Sequence, residues 1–429
     1  MHKQYYPMLD ETLYTEKLAN GLTVLVVPKP GFTRKEAYFV TDYGAIHKDF
    51  TLDGEKIATP AGVAHYLEHK MFELPDRDVT AEFAEMGAMV NAFTSYDLTA
   101  YYFSCTENFT GCLELLLEFV STPYFPAESV LREQGIIDQE IGMNLDDPGT
   151  QVFENLTRGM YRHHPMNLPI LGTGASIRQI TPEILHQCHR AFYNPANMIL
   201  CVAGDVDPAE VCAAAERILG TEFRAAGIRE DLTESDMTCP QAEIRQEMDI
   251  AMPTFCLGFK CEAPGKGEAA MRQEFVADLA AEALFGESSE LYLDLYARGI
   301  IDGSFGGGFE TSDGCAMLNC GGDSLYPEQI LPELLKAAEK IVTQGIPQED
   351  FLRMKRSAMG RRIRDLDSFD STCFRLCAYY MSDYDYFRFP ELYEPITLSD
   401  LQEFLHRVIR PERSCLSVIE PMKEDLHES

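Results

Sequence analysis

Two histidines and a glutamate stand within five consecutive positions of the stretch AGVAHYLEHKMF, as His65, Glu68 and His69. If this stretch is helical, the two histidines lie one turn apart on one face, with about 6 Å between their β-carbons. Two imidazoles so placed can bind one metal ion, and Glu68 borders the same face. Metal-assisted hydrolysis needs such nitrogen ligands beside a carboxylate that accepts a proton from water. The stretch matches the inverted zinc-peptidase pattern H-x-x-E-H, although an isolated match is also compatible with an ordinary solvated helix face.

A third ligand is available in PAESVLREQGIIDQEIGMNLDDPG, residues 126–149. The helical spacing of its apolar residues predicts a second amphipathic helix, on which Glu133 and Glu140 lie two turns apart and share a face. A carboxylate from a second helix is a suitable third zinc ligand and leaves a fourth position for water. The residues alone do not choose between the two glutamates, because exposed helical glutamates are common in so acidic a chain.

The composition limits the class of protein. The chain has 429 residues, of which 45% are hydrophobic and 24% charged, which predicts a globular protein of more than one domain. Its formal net charge of −33 makes nucleic acid and membranes poor partners. The thirteen cysteines are scattered without a C-x-x-C pair, so we expect reduced, buried thiols rather than a cysteine-based zinc site.

The hydropathy of the chain bears on its location. No run of about eighteen apolar residues is present, so we expect no transmembrane helix. The N-terminal residues MHKQYYPMLDETLYTEKLANG lack the apolar segment of a secretory signal peptide. These two features predict a cytoplasmic protein.

The chain contains an internal repeat. The segments ITPEILHQCHRAFYNPANMILCVAGDVDP and ITLSDLQEFLHRVIRPERSCLSVIEP begin at Ile180 and Ile396, about half the chain apart. Each predicts an amphipathic helix, reaches a proline (Pro195 or Pro411) at the same distance from its start, and then enters an apolar strand. The repeat predicts two homologous halves.

The order of the remaining segments indicates the fold class. Strands followed by helices, with antiparallel-looking strand pairs, predict an α+β fold in which each half is a mostly antiparallel sheet packed with helices. We expect a zinc-binding catalytic half over 1–222, a polar linker over 223–243 and a second half without a metal set over 244–429. We also expect one long helix from about Met271 to Ala297, and a hairpin or tight strand approach at GSFGGGFE.

Together these features resemble the insulinase/pitrilysin zinc metallopeptidases, the inverzincins, a family that includes the mitochondrial processing peptidase. In that family H-x-x-E-H is followed some seventy residues later by a helix with E-x-x-x-x-x-x-E, whose second glutamate binds zinc. Glu133 and Glu140 stand at those positions here. The resemblance spans the whole chain. Sequence segments such as NAFTS, GIIDQEI and EALFGESS most resemble the bacterial, processing-peptidase-like branch of YmfH-like proteins.

The resemblance implies a zinc metalloendopeptidase built on two halves of the processing-peptidase/LuxS-like metallohydrolase type. One Zn²⁺ per chain is expected, held by His65, His69 and Glu140. The same resemblance implies two further catalytic-site residues, with Glu68 as the base and Glu133 orienting a metal ligand.

The resemblance also implies substrate-binding residues. The stretch NAFTSYDLTAYYF is similar to the active-site strand of the family, which assigns substrate contacts to Asn91, Ala92 and Phe93. The second half of family members normally holds an Arg…Tyr pair that steadies the developing oxyanion. Here YARGIIDGSF keeps Arg298, but Asp302 replaces the tyrosine, and an ionised aspartate cannot donate a hydrogen bond to an oxyanion.

This departure predicts a dimer. The chain is expected to be the zinc-bearing subunit, paired either with a homologous inactive chain that supplies Arg and Tyr or with a second copy of itself. The expected substrates are peptides or small unfolded polypeptides. Alternatives are a dedicated maturation protease of one peptide precursor, a non-catalytic accessory or scaffold subunit and, with less support, a small-molecule hydrolase. Glu68 favours an enzyme, because a scaffold has no need of a base beside an intact ligand set.

Overall fold

Two large β-sheets, each packed with helices, form the framework of residues 1–422, the part of the chain that this computed structural model describes. The strands are β1 (His2–Tyr6), β2 (Glu11–Lys17), β3 (Thr23–Pro28), β4 (Lys35–Thr41), β5 (Asp49–Leu52), β6 (Glu55–Ala58), β7 (Glu73–Leu74), β8 (Arg77–Asp78), β9 (Met89–Thr94), β10 (Thr99–Cys105), β11 (Met198–Gly204), β12 (Ile228–Arg229), β13 (Glu243–Met248), β14 (Thr254–Cys261), β15 (Gly306–Ser312), β16 (Cys315–Asp323) and β17 (Ser414–Pro421). The helices are α1 (Val63–Met71), α2 (Val79–Glu85), α3 (Phe109–Ser121), α4 (Ala127–Asp146), α5 (Pro148–Met160), α6 (Gly174–Ile177), α7 (Pro182–Phe192), α8 (Pro208–Leu219), α9 (Gly267–Phe285), α10 (Glu290–Ala297), α11 (Ile330–Gln344), α12 (Gln348–Asp365), α13 (Phe369–Met381), α14 (Phe389–Tyr393) and α15 (Leu398–Val408).

The first compact unit comprises Met1–Ile141, Pro169–Glu230 and Arg361–Pro390. Its seven-stranded sheet has the order β1-β2-β3-β11-β4-β10-β9, in which β3 and β11 are parallel and the other neighbours antiparallel. The central strands β4 and β11 are buried almost throughout, because both α3 and α13 pack against this part of the sheet. Their nearly continuous apolar sequences, EAYFV and MILCVA, are typical of strands covered on both faces.

The second compact unit comprises Gly142–Leu168, Asp231–Gly360 and the described residues from Glu391 onward. Its five-stranded sheet has the order β13-β17-β14-β16-β15, with β13 and β17 parallel and the other pairs antiparallel. Helix α5 packs against β14 and β17, and α9 packs against β15 and α15. Each unit therefore includes a helix, α13 or α5, that the chain supplies far in sequence from most of that unit.

The two sheets share one topology, which confirms the predicted α+β fold with homologous halves. The strand order β3-β11-β4-β10-β9 of the first sheet corresponds, strand by strand, to β13-β17-β14-β16-β15 of the second. The sequence repeat falls on equivalent elements: α7 and α15 are capped by the side chains of Thr181 and Thr397, and a short 3₁₀ turn then leads into β11 or β17. The division in sequence order, with a linker over 223–243, stays a prediction.

One helix expectation is wrong. The segment expected to form a single helix from Met271 to Ala297 is divided into α9 and α10. Helix α9 ends at Phe285 and is followed by its C-cap residue Gly286. The Ser289 hydroxyl then accepts a 3.1 Å hydrogen bond from the Tyr292 amide and so caps α10. The glycine-rich segment GSFGGGFE, residues 303–310, leads into β15 (Gly306–Ser312), which pairs with β16 as expected.

The cysteines and the hydropathy of the helices can be compared with what the composition predicted. All thirteen cysteines are free thiols, and eleven of them are buried, as expected for thiols that behave as small apolar side chains. Among residues 1–422, no helix combines the length and the apolar content needed to cross a bilayer.

Candidate metal centre

Helix α1 carries the whole H-x-x-E-H motif. The helix begins after Gly62, whose φ of 90° lies in the left-handed region that favours glycine. A β-carbon at this position would lie 2.4 Å from the carbonyl oxygen of Leu171, so any larger residue would displace the turn. The turn therefore determines where α1 starts, and with it the positions of His65, Glu68 and His69.

Helix α4 brings a carboxylate to the two imidazoles of α1. The ring centroids of His65 and His69 are 4.6 Å apart. Glu140 places its two carboxylate oxygens 3.6 Å from Nε2 of His65 and 3.5 Å from Nε2 of His69. One ligand atom from each side chain lies within 4.8 Å of the others, and no other such group of His, Cys, Asp and Glu side chains occurs in residues 1–422.

The donor chemistry of this cluster fits zinc. Two imidazole nitrogens and one carboxylate oxygen form a donor set used by catalytic zinc sites, which keep one further position open. Glu140 has 38% of its side chain exposed, whereas His65 has only 8%, so the cluster is anchored in the interior but accessible from solvent. The structure thus brings together the three predicted ligands.

Glu133 contacts the far side of one imidazole. Its Oε1 lies 3.1 Å from Nδ1 of His69, which leaves Nε2 of that ring directed towards Glu140. A carboxylate in this position fixes the tautomer and the orientation of a metal-binding histidine. His65 differs, because its Nδ1 is buried without a hydrogen-bond partner among residues 1–422.

Glu68 lies beside the cluster and is oriented by a hydroxyl group. Its side chain is buried, and its Oε2 accepts a 2.6 Å hydrogen bond from the hydroxyl of Thr94 on β9. Thr94 was not among the residues predicted from the sequence. The available signal was strand alternation, since Val90, Ala92 and Thr94 share the face of β9 that turns to the core.

The carboxylates around the imidazoles differ in proton affinity. Burial raises the pKa of the Glu68 carboxyl above its usual value, and the hydrogen bond from Thr94 offsets this only in part. The contact with His65 lowers the pKa of Glu140. Burial alone would lower the pKa of His69, but Glu133 and the neighbouring carboxylates raise it above its usual value. Glu140 is therefore suited to bind a cation, and Glu68 to exchange a proton.

Strand β9, which contains the predicted substrate-binding residues, lies at the end of the seven-stranded sheet. Asn91 is exposed, and its side-chain oxygen accepts a 2.9 Å hydrogen bond from the Ala92 amide. Phe93 is partly exposed and its ring contacts those of Tyr102 and Phe374. The ladder side of β9 that faces away from β10 is therefore an edge, on which an extended chain can pair.

Arg298 lies in the second unit, at the C-terminal end of α10. It is exposed and forms ion pairs with Asp294 at 2.7 Å and Glu333 at 2.9 Å. Asp302 accepts hydrogen bonds from the amide and the hydroxyl of Ser304, and these bonds lower its pKa. An ionised side chain therefore stands where the resemblance leads one to expect a tyrosine.

Comparison with known proteins identifies the family. The model of the insulinase domain, peptidase family M16, matches residues 57–174, and that of the M16 inactive domain matches residues 179–358. The chain is 36% identical to the Bacillus subtilis protein named "Uncharacterized zinc protease YmfH" over 97% of this chain and 98% of that one.

Solved structures agree with the sequence relatives. A crystal structure described as that of an M16-like peptidase from Alicyclobacillus acidocaldarius is 31% identical, covers 96% of this chain and 99% of its own, and superposes with a TM-score of 0.92. A protease from Helicobacter pylori shares the fold, with a TM-score of 0.81 at 19% identity, over 95% of this chain and 99% of its own. The chain belongs to the insulinase (M16) peptidase family, and within it to the YmfH-like proteins, as the sequence predicted.

Proposed function

We propose that this chain is a zinc-dependent metalloendopeptidase that hydrolyses peptides or small unfolded polypeptides. The observation that carries the proposal is the convergence of His65, His69 and Glu140 within 4.8 Å, with a buried carboxylate, Glu68, next to them on α1. Membership of a family whose relatives are named as zinc proteases gives further support.

The proposed metal site uses side chains from two helices. Nε2 of His65, Nε2 of His69 and the Glu140 carboxylate would hold one Zn²⁺. When bound, zinc supplies a Lewis acid that polarises a carbonyl group and lowers the pKa of a water to about 7. Glu133 holds the His69 ring through Nδ1 and so keeps its Nε2 directed at the site.

Glu68 is proposed to act as the general base and then as the general acid. Its carboxylate takes a proton from the attacking water and later delivers it to the leaving amine. Burial raises the pKa of the Glu68 carboxyl. Glu68 can therefore both take up and release a proton more readily than a carboxylate that stays ionised throughout. The hydroxyl of Thr94 holds Oε2, so that Oε1 is the oxygen left for proton transfer.

The proposed substrate is an extended peptide. The free edge of β9 can pair with such a chain through main-chain hydrogen bonds that do not depend on side-chain identity. Asn91, Ala92 and Phe93 would contact it there. Binding of this kind favours unfolded segments over folded domains, because a folded domain does not present a free strand of backbone groups.

A dimer is proposed from the second unit. Asp302 replaces the expected tyrosine, and Arg298 is paired with two carboxylates. A homologous partner that supplies Arg and Tyr would complete oxyanion stabilisation, whereas a second copy of this chain, with Asp302 at the same position, would supply only its arginine. We propose that this pair acts in the cytoplasm. Full hydrolytic activity of the isolated chain at concentrations where it is monomeric would reject the dimer.

Two other functions remain alternatives. A dedicated maturation protease would cleave one precursor and leave most of an extended-peptide library intact. A non-catalytic accessory or scaffold subunit would bind metal without hydrolysis. The presence of Glu68, buried and oriented by Thr94, favours an enzyme over a scaffold.

The test compares wild type with Glu68→Gln and, as a matched control, Glu128→Gln at an exposed position of α4. Zinc content is measured by elemental analysis, and hydrolysis by mass spectrometry of a peptide library. We expect all three proteins to retain zinc and only Glu68→Gln to lose hydrolysis, by about 10²-fold or more. Wild-type protein that binds zinc but cleaves nothing, alone or with co-purified chains, would support the scaffold instead.

A further inference from the structure

Lys70 follows the ligand His69 on α1 and is completely buried, with 0% of its side chain exposed. Lysine is among the residues that are almost never fully buried unless they are paired. A buried amino group is costly unless hydrogen bonds replace its lost contacts with water. The hydrogen-bond partners of Lys70 therefore indicate which parts of the structure this buried side chain holds together.

The partners of Lys70 come from two other elements. Its amino group donates to the Glu73 carboxylate on β7 and to the Ser129 hydroxyl on α4. Ser129 is also buried, and its hydroxyl donates in turn to the same carboxylate of Glu73. The three side chains form a closed triangle, in which Lys70 donates two hydrogen bonds, Oε2 of Glu73 accepts two, and the Ser129 hydroxyl accepts one and donates one.

The triangle joins the two helices that carry the candidate ligands. Ser129 lies one helical turn before Glu133 on α4, and Lys70 is the residue after His69 on α1. Near the triangle, the Tyr66 hydroxyl donates to the carbonyl oxygen of Val130, again from α1 to α4. The first turns of α4 are thus attached to α1 by side chains that do not themselves bind metal.

This attachment bears on the ligand at the other end of the same helix. Glu140 is three turns beyond Ser129 on the same continuous helix, so a change in the axial position of α4 moves its carboxylate relative to the imidazoles. Zinc ligands must meet the ion within a few tenths of an ångström. A contact that fixes one helix against the other therefore acts on metal affinity.

We propose that Lys70 is a positioning residue of the metal centre, which acts through Ser129 and Glu73 to hold α4 where Glu140 meets the two imidazoles of α1. The inference rests on the proposed function, because it assumes that His65, His69 and Glu140 bind zinc. It adds a role for a residue that touches neither the ion nor the substrate.

The test measures Zn²⁺ affinity of the metal-free full chain by competition with a chromogenic chelator. The variants are Lys70→Met, Ser129→Ala and their double substitution. The matched control is Lys260→Met, since Lys260 is another lysine with 1% exposure, bonded to carbonyl oxygens in the second unit. Circular dichroism and thermal unfolding of each protein without zinc report folding separately.

We expect Lys70→Met to weaken Zn²⁺ binding about 10-fold or more, Ser129→Ala to weaken it less, and Lys260→Met to leave it unchanged. The double variant should resemble Lys70→Met rather than the sum of the two, because both substitutions break one network. Unchanged affinity in Lys70→Met and Ser129→Ala, or an equal loss in Lys260→Met, would overturn the inference while the proposed function stands. If Lys70→Met does not fold, Ser129→Ala against wild type decides. Failure of wild type itself to bind Zn²⁺ would instead reject the proposed function.

Discussion

The hydroxyl of Thr94 donates a 2.6 Å hydrogen bond to Oε2 of Glu68. Thr94 is on β9, the strand proposed to pair with substrate, and Glu68 is on α1, in sequence between the two histidines of the candidate metal centre. The bond therefore ties the orientation of the proposed base to the position of the substrate strand. Since a carboxylate accepts it, the bond belongs to the stronger, charge-assisted kind whenever Glu68 is ionised.

Thr94→Val should lower kcat with little change in KM. The substitution keeps the shape of the side chain but removes the donor, so Glu68 loses a fixed orientation while the edge of β9 is preserved. A lost hydrogen bond to a charged group corresponds to roughly 10-fold or more in rate. Steady-state kinetics on one extended peptide provide the measurement. Thr94→Ser, which restores the hydroxyl, should recover most of kcat, and equal rates for the two variants would remove Thr94 from the mechanism.

The two glutamates of α4 should differ in their effect on metal binding. Glu140→Gln removes a proposed ligand and should reduce Zn²⁺ affinity by more than Glu133→Gln, which disturbs only the His69 ring and should cost about 10- to 100-fold. Glu128→Gln, at an exposed position of the same helix, should have no effect. Chelator competition on the metal-free proteins gives the three affinities. A larger loss for Glu133→Gln than for Glu140→Gln would reverse the assigned roles.

The sequence predicted the three candidate ligands that the structure brings together, but not the residues that support them. Spacing predicted that His65 and His69 share one face, because a helix brings positions four apart onto the same side, and the family resemblance added their assignment to zinc. The choice of Glu140 over Glu133 came from family resemblance, since both share a face of α4. Thr94 and Lys70 were missed because their contacts form only through tertiary packing. Thr94 meets Glu68 on α1, and Lys70 meets Glu73 on β7 and Ser129 on α4.

The overall fold was predictable for a related reason. The repeat of helix, proline and apolar strand recurs in α7 with β11 and in α15 with β17, and local sequence determines each of these elements. The break between α9 and α10 was not foreseen, although Gly286 and Ser289 are a common pair of helix-ending and helix-starting residues. The apolar spacing continues on both sides of the break and concealed it. The inclusion of α5 and α13 in units distant in sequence depends on long-range packing that no local pattern encodes.

Replacement by alanine should destabilise the protein much more at Gly62 than at Gly54, a glycine with nearly the same backbone conformation. Gly62 and Gly54 have φ values of 90° and 86°, but a β-carbon would meet the Leu171 carbonyl oxygen at 2.4 Å only at Gly62. Gly54→Ala should lower the free energy of unfolding by about 1 kcal/mol through conformational strain. Gly62→Ala should cost about 1–3 kcal/mol more through the clash. Urea unfolding monitored by circular dichroism measures both, and equal costs would contradict the role given to this turn.

Glu36 should make stability depend on pH near neutrality. It is 1% exposed on β4, and burial raises its pKa from 4.5 to about 7, with Arg34 opposing the shift and Asp370 adding to it. Between these two values the folded state holds a proton that the unfolded chain releases. Its contribution to stability is therefore complete below about pH 4.5 and is lost as the pH rises through about 7.

Replacement of Glu36 by glutamine should remove this dependence. The free energy of unfolding of Glu36→Gln, relative to wild type, should rise by on the order of 1–3 kcal/mol between pH 4.5 and pH 8. Urea titrations at several pH values measure the difference. Glu55→Gln, which also removes a carboxyl group but at an exposed position of β6, serves as the control. A flat profile for Glu36→Gln would show that Glu36 is not protonated in the folded protein.

The proposal that one zinc ion binds between α1 and α4 can be tested most directly by anomalous diffraction at the zinc absorption edge from crystals of the zinc-loaded chain. We predict one strong peak in the first unit, about 2.0–2.2 Å from Nε2 of His65, Nε2 of His69 and a carboxylate oxygen of Glu140. Crystals grown with excess Zn²⁺ that show no anomalous peak at these three side chains, with or without a peak at other residues, would contradict it.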